Sequence, residues 1–233
     1  ASLRAGEQVR MNMGYMQEPV KLVALASGFS LGFLGNSHFG IEDIAIMRSI
    51  PGITVVTPAD CVELYKALLA LEYLEKPVYL RLTGGVGMPI VYQDDYEFLL
   101  GKANVIKPIG RITVISHGVT VGYALRAIND LATSGYEGIG LINIHTIKPI
   151  DVDTISDVLR RSETVLVFEE HSVVGGLGAA ILEVQNDLKM SSGATIKRFG
   201  VPDCFPKTGD YPFILASLGL DSQGIRQKVL DQL

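Results

Sequence analysis

Short apolar runs alternate with segments of helical period in the first part of the chain. The strands that this pattern predicts are 20–26, 53–56 and 77–82, and the helices are 2–17, 41–50 and 60–74. Pro51-Gly52 stops the second helix, and Asp60 is a candidate N-cap for the third. The run at 20–26 is apolar nearly throughout, which is typical of a buried strand. Strands that alternate with helices in this way predict a parallel α/β sheet.

The alternation is interrupted between Thr83 and Gly101, where glycines and Pro89 precede an acidic stretch. This composition predicts a linker from about residue 84. A second α/β pattern begins near Ala103. Its predicted strands are 112–116, 139–144, 164–168 and 195–199, and its predicted helices are 120–133, 152–161, 177–189 and 222–232. The predicted fold class is therefore α/β, with two three-layer α/β domains at residues 1–100 and 101–233.

The composition is that of a globular chain. The 233 residues are 48% hydrophobic and 19% charged, which argues against disorder. The net charge is −5 and no basic run occurs, so we expect no nucleic-acid partner. No apolar run approaches the roughly 20 residues of a membrane span, so we expect no membrane partner. Cys61 and Cys204 are isolated from each other, which predicts a reduced, cytoplasmic setting.

His38 is the first candidate for chemistry. It lies in a glycine-rich loop, 27–40, directly after a predicted strand. Ligands bind at the carboxyl ends of strands in open α/β sheets, and an imidazole there can donate to a substrate hydroxyl or move a proton near neutral pH. The alternative is a loop histidine that only satisfies nearby backbone groups. His117 and His145 also lie at predicted strand ends and are interpreted as structural.

Two further polar segments admit both a functional and a structural interpretation. Glu169, Glu170 and His171 suggest acid–base chemistry or a metal, but one histidine without a second ligand cluster argues against a metal. We interpret them as a polar set at a strand end that supports a subunit contact. The glycine-rich segment 175–178 suggests a phosphate cradle at a helix start, but it lacks the full dinucleotide spacing. We interpret it as a tight turn that lets the helix pack closely.

Four segments, in order along the chain, resemble the transketolases and 1-deoxyxylulose-5-phosphate synthases. GNSHFGIEDIAIMRSIPG at 35–52 resembles their pyrimidine-binding region, and RAGEQVR at 4–10 resembles the helix just upstream. INIHTIKPID at 142–151 and FEEHSVVGGLG at 168–178 resemble their C-terminal domain. The resemblance implies a C-terminal section of a thiamine-diphosphate enzyme, made of a partial pyrimidine-binding domain and a transketolase C-terminal domain.

The resemblance also implies roles for particular residues. His38 matches an active-site histidine that contacts substrate, so it is both the catalytic and the substrate-binding candidate. Arg4 falls where the deoxyxylulose-phosphate synthases place an arginine beside the cofactor, the alternative being a solvated first-turn arginine. Ala1 falls near an aromatic residue that stacks on the aminopyrimidine, and alanine cannot stack. The family's activating glutamate lies upstream of residue 4, so we expect this chain to begin after it.

Thiamine diphosphate and Mg²⁺ are the implied cofactors, held mostly outside this chain, because no Gly-Asp-Gly motif of the diphosphate-binding domain occurs here. No residue of this chain is assigned to the metal. The implied partners are a diphosphate-binding N-terminal subunit or domain, a second copy in a homodimer, and a sugar. On this interpretation the chain alone is inactive.

The implied reaction is transfer of a two-carbon ketol unit between sugars. The alternatives are a deoxyxylulose-phosphate-synthase-like condensation and a non-catalytic assembly subunit like the β-subunits of 2-oxo acid dehydrogenases. Leu34 replaces an aspartate that hydrogen-bonds the sugar in ordinary transketolases, and Gly84 replaces an arginine that grips the sugar phosphate. We therefore expect less dependence on a phosphate. Arg81 is an alternative gripping residue, although its position in a strand predicts burial.

Overall fold

The computed structural model describes residues 2–84, 87–190 and 193–233, and these residues form two β-sheets. The first sheet has the order β1-β3-β2-β7, and the second has the order β4-β6-β5-β8-β9. The strands of the first sheet are β1 (Lys21–Ala24), β2 (Thr54–Val56), β3 (Val78–Arg81) and β7 (Thr146–Lys148). Those of the second are β4 (Asn104–Lys107), β5 (Ile112–Ser116), β6 (Ile139–Asn143), β8 (Thr164–Ser172) and β9 (Thr195–Val201). The predicted α/β class is confirmed.

Helices follow most of the strands, as the periodicity predicts. They are α1 (Gly6–Gln8), α2 (Asp43–Ser49), α3 (Cys61–Leu71), α4 (Thr120–Thr133), α5 (Val152–Arg161), α6 (Leu177–Asp187), α7 (Tyr211–Leu218) and α8 (Ser222–Leu230). α1 continues directly as a π-helical segment, Val9–Tyr15. The predicted cap at Asp60 is confirmed, because its side chain accepts a hydrogen bond from the amide of Glu63. Helix α7 is absent from the sequence-based prediction.

Three features differ from the sequence-based expectations. The sheets are not wholly parallel, because β7 pairs with β2 and β4 pairs with β6 in antiparallel orientation. β1 is not a buried strand: it lies at the edge of the first sheet, and Val23 is 44% exposed. An edge strand has a neighbour on one side only, so an apolar sequence does not ensure burial. β8 extends past its predicted end at 168, so Glu169 to His171 lie within the strand.

The two sheets share their hydrophobic core. One cluster joins Met47 of α2 and Tyr79 of β3 to Ile115 and Val167 of the second sheet. β7 strengthens this connection, since it follows β6 along the chain yet completes the first sheet. Within the parts of the chain that the structure describes, no helix is both long and apolar enough to cross a membrane. The shared core holds the carboxyl ends of β3 and β8 close to each other.

Candidate functional site

His38 lies on an exposed loop whose two ends are joined. We call residues 28–40 the His38 loop. Gly28 and Gly40 exchange two backbone hydrogen bonds of 2.8 and 2.9 Å, which close the loop at its neck. The tip is formed by two single 3₁₀ turns, Gly32–Leu34 and Asn36–His38. The His38 ring is exposed, and its Nδ1 lies 3.1 Å from the hydroxyl of Ser37. The ring is therefore accessible at the surface of the protein.

Apolar side chains anchor the neck in the second sheet's core. Phe29 is fully buried and packs edge-to-face against Phe39, with ring centroids 5.0 Å apart. Both rings join the cluster that contains Phe168 of β8 and Ile214 of α7. A Cβ atom at Gly32 would clash with the Cδ1 of Ile214, so the tip approaches α7 too closely for any larger residue. The second half of the chain therefore supports the loop that carries His38.

A buried ion pair lies beneath the neck. Arg81 is 1% exposed, and its Nε donates to the Oδ2 of Asp43 at 2.8 Å. Its Nη2 donates to the carbonyls of Gly40 at 3.0 Å and Glu170 at 2.9 Å, and its Nη1 donates to the hydroxyl of Thr83 at 3.2 Å. Every nitrogen of the guanidinium group is thus engaged inside the protein. The predicted burial of Arg81 is confirmed, and it is not available to grip a phosphate.

Glu170 links the neck to α7. Its Oε1 accepts a 2.6 Å hydrogen bond from the amide of Phe29, and its Oε2 accepts a 2.8 Å hydrogen bond from the hydroxyl of Tyr211. Burial raises the pKa of Glu170 to about 7, while nearby Arg81 and the Phe29 amide act in the opposite direction. Gly28 has a φ of +63°, and a Cβ atom there would clash with this carboxylate. Glycine is therefore required at the neck.

Glu169 and His171 serve other intrachain contacts. Glu169 accepts from the amides of Leu177 at 2.7 Å and Gly178 at 3.0 Å, at the start of α6, and burial raises its pKa to about 7. His171 accepts from the amide of Ala45 at 3.3 Å, and burial lowers its pKa to about 4. Both side chains are fully buried within this chain. These side chains therefore make contacts within this chain and do not themselves form a surface for a second subunit.

The glycine-rich turn before α6 is a packing turn, as the sequence predicted. A Cβ atom at Gly176 would clash with the carboxylate of Glu169, and one at Gly178 would lie 2.6 Å from the Cδ of Arg198. His117 and His145 are buried, and burial lowers the pKa of both rings. They carry no exposed ring nitrogen at a site, which agrees with the structural interpretation.

The remaining candidates are spread around the loop. Arg4 lies in an exposed turn before α1, and within the described ranges no hydrogen bond or salt bridge joins it to His38. Leu34 is 48% exposed on the tip of the loop. Gly84 is exposed, and its amide donates to the hydroxyl of Ser30, inside the His38 loop, at 3.2 Å. A Cβ atom at Gly84 would meet open space. Gly84 is thus linked to the His38 loop through Ser30.

A cavity of about 300 Å³ adjoins Gly84 at the carboxyl ends of β1, β2 and β3. Its walls are mainly apolar, and they include Leu25, Leu82 and Met88. Asp60 contributes a carboxylate that already accepts from three backbone amides. The cavity fits an uncharged ring or chain better than a phosphate, because the described residues that line it include no Lys or Arg.

A second polar cluster was not predicted from the sequence. The carboxylate of Glu63, fully buried on α3, accepts from both the Ala59 amide at 2.7 Å and the Asn143 side chain at 2.9 Å. Tyr96 donates to it at 3.1 Å, and burial raises the pKa of Glu63. The only local signal was the Asp60-x-x-Glu63 spacing, which is typical of a helix start. The cluster joins α3 to β6.

Two family models match this chain. Residues 2–86 match the transketolase pyrimidine-binding domain, and residues 101–225 match the transketolase C-terminal domain. One subunit of the apulose-4-phosphate transketolase of Phocaeicola vulgatus is 34% identical over 98% of this chain and 72% of its own length. A 6-deoxy-6-sulfo-D-fructose transketolase subunit of a Clostridium species is 34% identical over 97% of this chain and 68% of its own length.

The fold agrees with these matches. A solved structure described as a split gene transketolase, inactive β4 tetramer, superposes with a TM-score of 0.85 at 31% identity. The superposition covers 99% of this chain and 72% of that one. The chain therefore belongs to the transketolase family of thiamine-diphosphate enzymes, and it is a C-terminal section with a pyrimidine-binding and a C-terminal domain.

Proposed function

We propose that this chain is one subunit of a two-part transketolase that moves a two-carbon ketol unit between sugars. The observation that carries the proposal is the exposed His38, presented at the carboxyl edge of the first sheet on a loop with an anchored neck. The relatives' names support the division into parts, since two of them are described as transketolase subunits. The partner in this proposal is a diphosphate-binding subunit.

His38 is the catalytic and substrate-binding residue in this proposal. Thiamine diphosphate, when bound, supplies the carbanion that holds the two-carbon fragment. His38 contacts the substrate's hydroxyl or carbonyl oxygen through the ring nitrogen that does not face Ser37. Arg4 is proposed to contact the cofactor from the exposed turn before α1.

The diphosphate and Mg²⁺ are assigned to the partner subunit. Arg81, the most central cation of the site, is enclosed and already paired with Asp43, so it does not fit a diphosphate. We propose that this chain alone is inactive and that it forms a homodimer. The similar split transketolase chain is described as inactive in a tetramer of its own. Light scattering is the test of assembly, and a mass of 25.2 kDa that does not change with concentration would contradict it.

Two more of our expectations stay proposals. We place the domain boundary at residues 100 and 101, with the linker starting near 84. The absence of helix and strand from 87 to 103 supports this boundary within the described residues. We also propose a cytoplasmic location, which agrees with the two free, exposed cysteines Cys61 and Cys204.

Replacing His38 tests the proposed function. In the assembled enzyme, His38→Ala should lower kcat/KM by about 100-fold, because a group that acts in the transition state is lost. The melting temperature should be unchanged, since the ring is exposed. Asn36→Ala is the matched control, an exposed residue of the same 3₁₀ turn, and it should keep wild-type kinetics. Equal kinetics for the two variants would show that His38 has only a local backbone role.

A further inference from the structure

We propose that Glu170 is a positioning residue that fixes the His38 loop from the second half of the chain. The inference rests on the role proposed for His38 and adds a residue to it. Glu170 lies on β8, in the domain to which no cofactor is assigned. It touches neither the surface nor the proposed substrate region, being 1% exposed. Its effect therefore passes through the loop.

The contact between Glu170 and the loop is specific. Its Oε1 accepts a 2.6 Å hydrogen bond from the amide of Phe29, which lies one residue inside the neck. The backbone carbonyl of Glu170 accepts a hydrogen bond from the Arg81 Nη2. The same nitrogen also donates to the carbonyl of Gly40 at the other end of the neck. One residue thus holds both ends of the loop, through its side chain at Phe29 and through Arg81 at Gly40. Hydrogen bonds with a charged partner are stronger than neutral ones, especially away from water.

The loop has little else to define its neck. The Gly28–Gly40 bridge is a single pair, outside any sheet. The tip is exposed at Phe33, Leu34 and His38. A loop closed by one pair opens easily unless buried contacts hold it. Phe29 and Phe39 supply apolar burial, but apolar contacts are not directional. Glu170 supplies the acceptor for the Phe29 amide, while the Phe29 carbonyl accepts a local hydrogen bond from the Gly32 amide at 2.8 Å.

The neighbouring Glu169 provides a matched control. It lies on the same strand and is equally buried. Its carboxylate accepts hydrogen bonds from two backbone amides, whereas that of Glu170 accepts one from an amide and one from a hydroxyl. Its amides belong to α6, so it has no hydrogen bond to the His38 loop. A general effect of removing a buried carboxylate from β8 should appear in both variants. A positioning effect on the loop should appear only when Glu170 is changed.

Amide hydrogen exchange on the full chain tests the contact without any enzymatic assay. Glu170→Ala should speed exchange across residues 28–40 by about 10-fold or more, because the Phe29 amide loses its acceptor. Glu170→Gln should restore protection, since its amide oxygen can still accept. Glu169→Ala should leave the exchange of these residues unchanged. If Glu170→Ala does not fold, Glu170→Asp serves, because its shorter side chain keeps the charge but withdraws from Phe29.

Kinetics of the assembled enzyme test the consequence. Glu170→Ala should lower kcat by about 10-fold to 100-fold with little change in KM, since a small misplacement of an active-site group costs mainly transition-state binding. Glu170→Gln should recover most of the rate, and Glu169→Ala should keep it.

Three results would overturn the inference. The first is wild-type exchange of the loop in both Glu170→Ala and Glu170→Asp. The second is an equal loss of kcat in Glu169→Ala. The third follows from comparison with His38→Ala. An impaired His38→Ala beside an unimpaired Glu170→Ala would overturn the inference alone, whereas an unimpaired His38→Ala would overturn the proposed function.

Discussion

Arg81 is the residue whose removal should cost the most stability near the site. It is 1% exposed and pairs with Asp43, which is itself 4% exposed. Arg81→Met keeps the length of the side chain and removes its charge and donors. Asp43 would then keep only the Tyr79 hydroxyl, 2.8 Å from its Oδ2, while its Oδ1 already has no partner. The carbonyls of Gly40 and Glu170 would also lose the hydrogen bond from Arg81, although Gly40 keeps the one from the Gly28 amide.

The expected loss follows from these contacts. Removing one member of a buried ion pair costs about 3–5 kcal/mol, because the remaining charge is buried without compensation. For a chain of this size each 1 kcal/mol lowers the melting temperature by roughly 2–4 °C, so we expect a fall of roughly 6–20 °C. Adding Asp43→Asn to Arg81→Met should restore part of the loss, about 1–3 kcal/mol relative to the sum of the single variants. The uncompensated charge is then absent.

Urea unfolding followed by circular dichroism measures these differences. The control is Arg161→Met, which breaks an exposed pair with Asp157, four residues away on α5. Exposed pairs of this spacing contribute about 0.3–0.5 kcal/mol, so this control should stay near wild type. A loss below about 1 kcal/mol for Arg81→Met would refute the reasoning, since such a value is ordinary for surface changes and not for a buried pair.

Three other predictions concern single positions. Gly176→Ala should lower the melting temperature measurably, because its Cβ would clash with the Glu169 carboxylate; an unchanged temperature would contradict the tight turn. Burial raises the pKa of Glu170 from 4.5 to about 7, so the folded chain keeps a proton that the unfolded chain releases, and stability falls as the pH rises between these values. Glu170→Gln should remove about 3 kcal/mol of that fall, seen in urea titrations at the two ends of the range; parallel pH curves for the two proteins would disprove the shift. Gly84→Arg should raise the kcat/KM of a phosphorylated sugar over its unphosphorylated match, since a guanidinium fork fits phosphate. A wild-type preference of about 1,000-fold for the phosphorylated sugar would show that another residue grips the phosphate.

Interactions between residues close together along the chain allowed much of the secondary structure to be predicted from the sequence. Apolar periodicity located most strands and helices, because a strand or helix must turn an apolar face to the core. The cap at Asp60 was visible, since capping requires only a short side chain beside the first amides of a helix. The segment at 35–52 indicated the family and marked His38. Each of these inferences uses residues that lie close together along the chain.

The tertiary structure decided what depends on distant partners. Phe29 and Glu170 are 141 positions apart, and Glu63 and Asn143 are 80 apart, so no local pattern could pair them. The same is true of β7, whose three residues become a strand only because β2 offers an open edge. The sequence showed three adjacent polar residues at 169–171 but did not show which neighbouring segment each side chain would contact. Each side chain contacts the segment that packs against its face of β8, and only the folded chain brings those segments together.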